Sequence, residues 1–177
     1  MLACGMDPKE VMAELWKLPV VYVIENNEYA MGTSIERSSS EVQLFKRGVS
    51  FNIPGEAVDG MDVLAVRDAA EKAADYARSG KGPYILEMKT YRYRGHSMSD
   101  PMKYRTREEM EEVKKTRDPI DHVAQRLLAE GWADDAALKA LDAEARKIVL
   151  EAAEFARTSP EPDPRELYTD VYSEAGV

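Results

Sequence analysis

Val20-Val21-Tyr22-Val23-Ile24-Glu25-Asn26-Asn27 decides the fold class, because five apolar, mostly β-branched residues give way abruptly to polar ones. A strand with one face in water alternates apolar and polar side chains, whereas a strand covered on both faces reads as an unbroken apolar run. The stretch therefore predicts a strand covered on both faces in a parallel sheet, and an α/β fold. From Glu25 to about Ser40 the chain is polar, with Gly32 and serines at 38, 39 and 40, which predicts a loop at the carboxyl end of that strand. Ligands of open α/β sheets bind at such ends.

Upstream, Asp7-Pro8-Lys9-Glu10 combines a capping residue, a proline at the first helical position and a glutamate three residues after the cap. This predicts a helix to about Lys17, ended by Pro19. Downstream, Asp62 can cap a helix in which Val63, Val66, Ala70, Ala73 and Ala77 recur at helical spacing until Gly80, and Pro83 to Tyr91 follows as a second strand. Helix, strand, loop, helix, strand is a crossover unit, so the two strands should run parallel. Beyond a long loop from Arg92 to Tyr104, Thr106-Arg107-Glu108-Glu109 has the spacing of a capping box. Asp118-Pro119-Ile120-Asp121 opens a further helix ending at Gly131, and Asp134 or Asp135 opens another to about Ala156. On the last, Leu138, Leu141, Ala145, Ile148, Ala152 and Phe155 alternate by three and four, which suits packing within this chain or a seam with a partner subunit. Ser159-Pro160-Glu161-Pro162-Asp163-Pro164 predicts an extended tail, residues 159–177, after a folded part of residues 1–158.

The 177 residues are enough for one domain, and 44% hydrophobic against 32% charged residues is a globular balance with no apolar run long enough to span a membrane. A net charge of −9 excludes a general nucleic-acid surface, which needs clustered cations. Cys4 is the single cysteine, so no internal disulfide forms, and the amino terminus has no signal-peptide pattern; a cytoplasmic location is the expectation.

Against this acidic background, Tyr91 to Arg107 holds Arg92, Arg94, Lys103, Arg105 and Arg107 with Asp100 as its single acid. That composition suits an anion, and His96 in its middle could move a proton beside a phosphate or carboxylate. The competing reading is a solvated basic loop with an incidental histidine. His122, within a helical pattern, reads as a structural or surface residue. Asn26-Asn27 directly after the strand offers an amide oxygen of the hard type that Mg²⁺ takes, although paired asparagines also make turns.

These segments resemble the alpha subunits of thiamine-diphosphate-dependent pyruvate dehydrogenases. Leu18-Pro19-Val20-Val21-Tyr22-Val23-Ile24-Glu25-Asn26-Asn27-Glu28-Tyr29-Ala30-Met31-Gly32-Thr33-Ser34 is similar to the end of that family's thiamine-diphosphate motif. Gly60-Met61-Asp62, Tyr91-Arg92-Tyr93-Arg94-Gly95-His96-Ser97-Met98-Ser99-Asp100-Pro101 and Tyr104-Arg105-Thr106-Arg107-Glu108-Glu109 look like its active-site loop in the same order. The likeness runs from about Met12 to the end. It implies a thiamine-diphosphate-binding fold, oxidative decarboxylation of pyruvate with acetyl transfer to a lipoyl group, and a heterotetramer with a beta subunit served by the lipoyl domain of an acetyltransferase component. On the matching positions Asn27 would give Mg²⁺ a side-chain oxygen, Tyr29 a backbone carbonyl, and His96 would face the diphosphate and the reacting centre. Ser97 and Ser34 match serines phosphorylated in regulated members. Dehydrogenases for branched-chain 2-oxoacids or acetoin share the pattern, and a non-catalytic remnant that only binds a beta subunit is a further reading.

Two departures qualify this. The family motif begins with Gly-Asp-Gly, about one strand and helix before Asn-Asn, and this sequence contains no Gly-Asp-Gly, so the carboxylate ligand of Mg²⁺ is absent. In addition, Cys4 to Leu15 resembles a segment that normally precedes that motif, whereas Met12 to Lys17 resembles the helix just after it. Both family segments can read Met-Ala-Glu-Leu, which points to an internal deletion or an assembly artefact joining them there. The chain is accordingly expected to be inactive alone.

Overall fold

The computed structural model describes residues 8–169, so Cys4 and the expected cap Asp7 lie outside the described residues. The chain divides into two units, Met1–Arg126 and Leu127–Val177.

The first unit is a small parallel sheet with helices on it. Helix α1, Pro8–Leu15, precedes strand β1, Val21–Asn26. A two-residue hairpin follows, β2 at Tyr29–Ala30 against β3 at Thr33–Ser34, then the single turn α2 at Ile35–Ser38 and a 3-10 helix at Leu44–Phe51. Strand β4, Gly55–Asp59, helix α3, Val63–Arg78, and strand β5, Tyr84–Lys89, complete the layer. The sheet order is β1-β5-β4 with both pairings parallel, Val21 opposite Tyr84 and Gly55 opposite Ile85. The expected crossover is thus present, with β4 as a strand in a stretch to which the sequence reading assigns no element. Gly-Glu-Ala-Val-Asp carries a short, partly polar pattern that does not announce a strand; pairing with β5 makes it one.

Helix α3 begins where Asp62 accepts the backbone N–H groups of Leu64 and Ala65, as its capping role requires. Its buried face is offset from the expected one. Ala73 and Ala77 are buried and Val66, Ala69 and Tyr76 pack on the core, whereas Val63 and Ala70 are exposed. The core of this layer is Val58, Ala73, Tyr84, Leu86 and Met88, with the Tyr76 and Tyr84 rings edge to face at 5.3 Å. On the other face Ile85 meets Ile53 and Gly48; a Cβ at Gly48 would lie 2.6 Å from Ile85 Cδ1, so only glycine lets the 3-10 helix approach this closely.

The expectation that β1 is covered on both faces is corrected: β1 is an edge strand, and Val23 is 55% exposed. Val21 and Val23 instead line an open apolar trough with Val66, Ala70, Leu86 and Met88. Among the described residues β5 is its strand neighbour, and the face that carries Val21 and Val23 stays open.

Helix α4, Arg107–Arg117, starts with Thr106 accepting Glu109 N–H at 3.1 Å, and helix α5, Pro119–Ala129, starts with Asp118 accepting Ile120 N–H and Asp121 N–H. In the second unit, helix α6, Asp135–Thr158, is capped by Asp134, which accepts Ala137 N–H at 2.8 Å. Of its apolar stripe only Leu138 is half-buried, and Leu141, Ile148 and Phe155 are exposed. The expected extended tail is broken at Pro164–Tyr168 by a 3-10 helix, because Asp163 accepts Arg165 N–H and Pro164 fixes φ at its first position. No helix among the described residues is long and apolar enough to cross a membrane.

Candidate functional site

The strand β1 ends in two asparagines with different tasks. Asn26 is buried; its Nδ2 donates to Glu87 Oε1 at 2.7 Å and its Oδ1 accepts Glu28 N–H at 2.9 Å. Asn27 is half-buried and its Oδ1 accepts Tyr29 N–H at 3.2 Å. Just beyond them the backbone turns through Glu28 at φ +69°, a left-handed conformation that the Asn26 acceptor stabilises. The turn feeds the β2–β3 hairpin, whose Tyr29 ring lies 5.3 Å from Tyr104.

Tyr104 belongs to the long loop after β5, and the loop is laced to the hairpin. Arg92 Nη2 donates to Met31 O at 2.6 Å and to Tyr104 Oη at 3.1 Å. Tyr104 Oη donates in turn to Asp100 Oδ2 at 2.7 Å. Asp100 also accepts His96 N–H at 2.8 Å and Met102 N–H at 2.9 Å. The Tyr104 hydroxyl first, then these two N–H groups, favour the carboxylate and hold its pKa down at about 2. Gly32 sits where a Cβ would meet Tyr104 Cδ1 at 2.9 Å, so the hairpin tip needs glycine for the loop to close on it.

Arg105 is buried at the base of this loop. It donates to the carbonyls of Arg92 and Arg94, the latter at 2.9 Å, and its guanidinium stands 5.9 Å, 5.1 Å and 5.7 Å from the ring centres of Tyr29, Tyr91 and Tyr104. Cation–π attraction and delocalised charge suit arginine to such a site, where no carboxylate among the described residues pairs with it. Tyr91 Oη donates to Glu109 at 3.0 Å and Tyr93 Oη to Asp118 at 3.0 Å. Burial, then the Asp118 carboxylate, pushes the Tyr93 phenol up to about 12.

The anion-binding composition of the loop therefore divides. Arg92 is tied to the hairpin carbonyl of Met31 and the Tyr104 hydroxyl, Arg105 to loop carbonyls and tyrosine rings, and Arg107 pairs with Glu111 at 2.8 Å; Arg94 and Lys103 are exposed and have no such tie among the described residues. His96 and Ser97 are exposed, and they line one depression with Met31, Gly32, Asp100 and Tyr104. Ser97 Oγ lies 3.0 Å from Ser99 Oγ. Asn27 opens on a different depression with Glu25, Glu28 and Tyr29, while Ser34, half-buried before α2, lines a third with Asn26 and Lys89. His122 is exposed on α5, away from this group. The structure thus gathers Tyr29 and the His96 loop through Tyr104 and Arg92, but places His96 and Asn27 in separate depressions.

Among the described residues no group of three or more His, Cys, Asp or Glu could hold a metal ion. The Asn27 side-chain oxygen is a hard donor of the Mg²⁺ type, yet neutral, and Mg²⁺ sites use one or two carboxylates beside phosphate oxygens. As a complete Mg²⁺–diphosphate site the described residues do not fit, since Asn27 offers an amide oxygen and no carboxylate cluster accompanies it. The sequence points to Asn27, Tyr29 and His96 as candidates and passes over Glu87, whose place inside an apolar strand, Tyr84 to Lys89, is the available signal.

The fold and this loop define a class borne out by comparison. The family described as Dehydrogenase E1 component matches residues 10–165, and the chain belongs to it. The chain is 58% identical over 160 residues to the pyruvate dehydrogenase E1 component subunit alpha of Rhizobium meliloti (strain 1021), covering 90% of this chain and 46% of that protein. The corresponding subunit of Zymomonas mobilis subsp. mobilis is 56% identical over 160 residues, 90% of this chain and 45% of that protein. The testis-specific mitochondrial form of Homo sapiens is 54% identical over 163 residues, 92% of this chain and 42% of that protein. The chain spans about half the length of the curated relatives it matches.

Proposed function

We propose that this chain is part of the alpha subunit of a pyruvate dehydrogenase, an enzyme that decarboxylates pyruvate on thiamine diphosphate and passes the acetyl group to a lipoyl arm, working with a beta subunit and the lipoyl domain of an acetyltransferase. The observation that carries it is the lacing of the Tyr29 hairpin to the His96 loop by Arg92 and Tyr104 at one end of the parallel sheet. In this reading the Asn27 side-chain oxygen and the Tyr29 carbonyl would be this chain's contribution to holding Mg²⁺, which would supply positive charge for a diphosphate. His96, exposed on a loop whose shape Asp100 fixes, holds or moves a proton at the reacting centre. Ser97 and Ser34 are the candidate phosphorylation positions; a phosphate on Ser97 would put negative charge beside Asp100 and oppose the loop's closed form.

Among the described residues the chain offers an amide oxygen for such a site and no carboxylate cluster, and alone it is expected not to turn over pyruvate. The test is calorimetric titration of thiamine diphosphate and Mg²⁺ into the chain mixed with a matching beta subunit. No binding is expected. A version with the missing Gly-Asp-Gly strand and helix restored ahead of Met12 should bind, and Asn27→Ala in that version should abolish it. Tight Mg²⁺-dependent binding by the unrestored chain, or indifference of the restored one to Asn27→Ala, would overturn the reading.

A further inference from the structure

Glu87 stands in the middle of β5, the central strand, and none of its surface is exposed. Among the described residues it is the one buried carboxyl group. Its neighbours Leu86 and Met88 show what the strand otherwise uses, and a leucine or methionine there would avoid taking a carboxyl group out of water. Both oxygens are occupied by uncharged donors: Oε1 accepts Asn26 Nδ2 at 2.7 Å and Oε2 accepts Phe45 N–H at 3.0 Å. Glu87 thereby ties β5 to the end of β1 and to the 3-10 helix beside it.

The Asn26 amide can face only one way in this arrangement. Its NH₂ must meet the acceptor on Glu87, which leaves Oδ1 to accept Glu28 N–H at 2.9 Å and clasp the left-handed turn at φ +69°. We propose that Glu87 is a positioning residue for the Asn27–Tyr29 segment, setting the orientation of the Asn26 amide and through it the Glu28 turn. Its bearing on cofactor binding rests on the proposed role of Asn27 and Tyr29; the mechanical link does not.

Glu87→Gln isolates the link with nearly unchanged shape. A glutamine has one acceptor and one NH₂ group, so it cannot accept from both Asn26 and Phe45. Either the Phe45 bond is lost, or the Asn26 amide turns over and its NH₂ confronts Glu28 N–H. Asn26→Asp added to Glu87→Gln restores both contacts, because a carboxylate at position 26 accepts from the amide now at position 87 and from Glu28 N–H together. The experiment is hydrogen exchange of the full chain, resolved at the Glu28 and Phe45 amides, with Val58 in β4 as reference. Glu87→Gln should speed exchange at Glu28 or Phe45 roughly 10-fold relative to Val58, the scale of one lost buried hydrogen bond, and Glu87→Gln/Asn26→Asp should return it to the original rate. Unchanged exchange at both amides, or faster exchange everywhere without rescue, would overturn the proposal. If Glu87→Gln does not fold, the double variant decides alone: original exchange at Glu28 supports the link, and fast exchange or failure to fold refutes it. No metal or cofactor enters the measurement, so a failed cofactor titration and a failed Glu87 link remain separate results.

Discussion

Arg105→Met removes the guanidinium that closes the loop while keeping a long apolar stem of similar volume among the three tyrosines. Two carbonyls lose their donor, those of Arg92 and Arg94, and three ring contacts at 5.1 Å, 5.7 Å and 5.9 Å lose their charge. A hydrogen bond to a charged group is worth about 1.5–3 kcal/mol net, and a partly desolvated cation–π contact about 1 kcal/mol. The carbonyls lie at the loop and can recover water when it opens, and burying the cation costs part of the gain. The opening equilibrium should therefore shift by about 2 kcal/mol, which is roughly 30-fold. Limited trypsin digestion reads this directly, since Arg94 is exposed within the loop and cleavage of transiently open segments follows the open population. Cleavage after Arg94 should accelerate roughly 30-fold, with cleavage after Arg78, at the end of α3, unchanged. Arg105→Lys should fall between, because an ammonium keeps the charge but cannot span both carbonyls. An Arg94 rate within about 3-fold of the original, or equal acceleration at Arg78, would refute the assignment of Arg105 as the loop's fastener.

Other outcomes are more local. Asp100, with its pKa held down at about 2, adds stability to the loop that is present above the ordinary aspartate range near ~4 and disappears as pH falls through about 2; amide exchange at His96 and Met102 should therefore rise across that interval, and should not in Asp100→Asn, which lacks the titration. Asp62→Ala removes the acceptor for Leu64 and Ala65 N–H at the start of α3 and should cost about 1 kcal/mol in a urea melt, with Asp62→Asn largely preserving it.

Legibility in the sequence followed the locality of each cause. Caps at Asp62, Thr106, Asp118 and Asp134 were readable because side chain and donor lie within three residues, and all four make the expected bonds. The parallel pairing of β1 with β5 was readable from an apolar run and a crossover. Strand β4, the offset face of α3 and the Glu87 tie were not, since each depends on partners far along the chain: Glu87 reaches Phe45 across 42 residues and Asn26 across 61. For the site, composition marked the basic loop correctly but not the direction of its arginines. Arg92 and Arg105 look like anion ligands in one dimension and are structural fasteners in three.

The failures of burial prediction have a common physical origin. The apolar run of β1 is written for two covered faces, yet the strand is an edge with Val23 at 55% exposure. The α6 stripe has the spacing of a buried face, yet Ile148 and Phe155 are 58% and 74% exposed. Apolar periodicity of this kind is stabilising only when buried, at about 25 cal/mol for each Å² removed from water. Both apolar faces are left open among the described residues, in a chain that spans about half the length of the curated relatives it matches. Asn27 likewise offers a neutral oxygen of the type a hard cation takes, and no carboxylate cluster among the described residues stands ready to supply the charge such a cation would need.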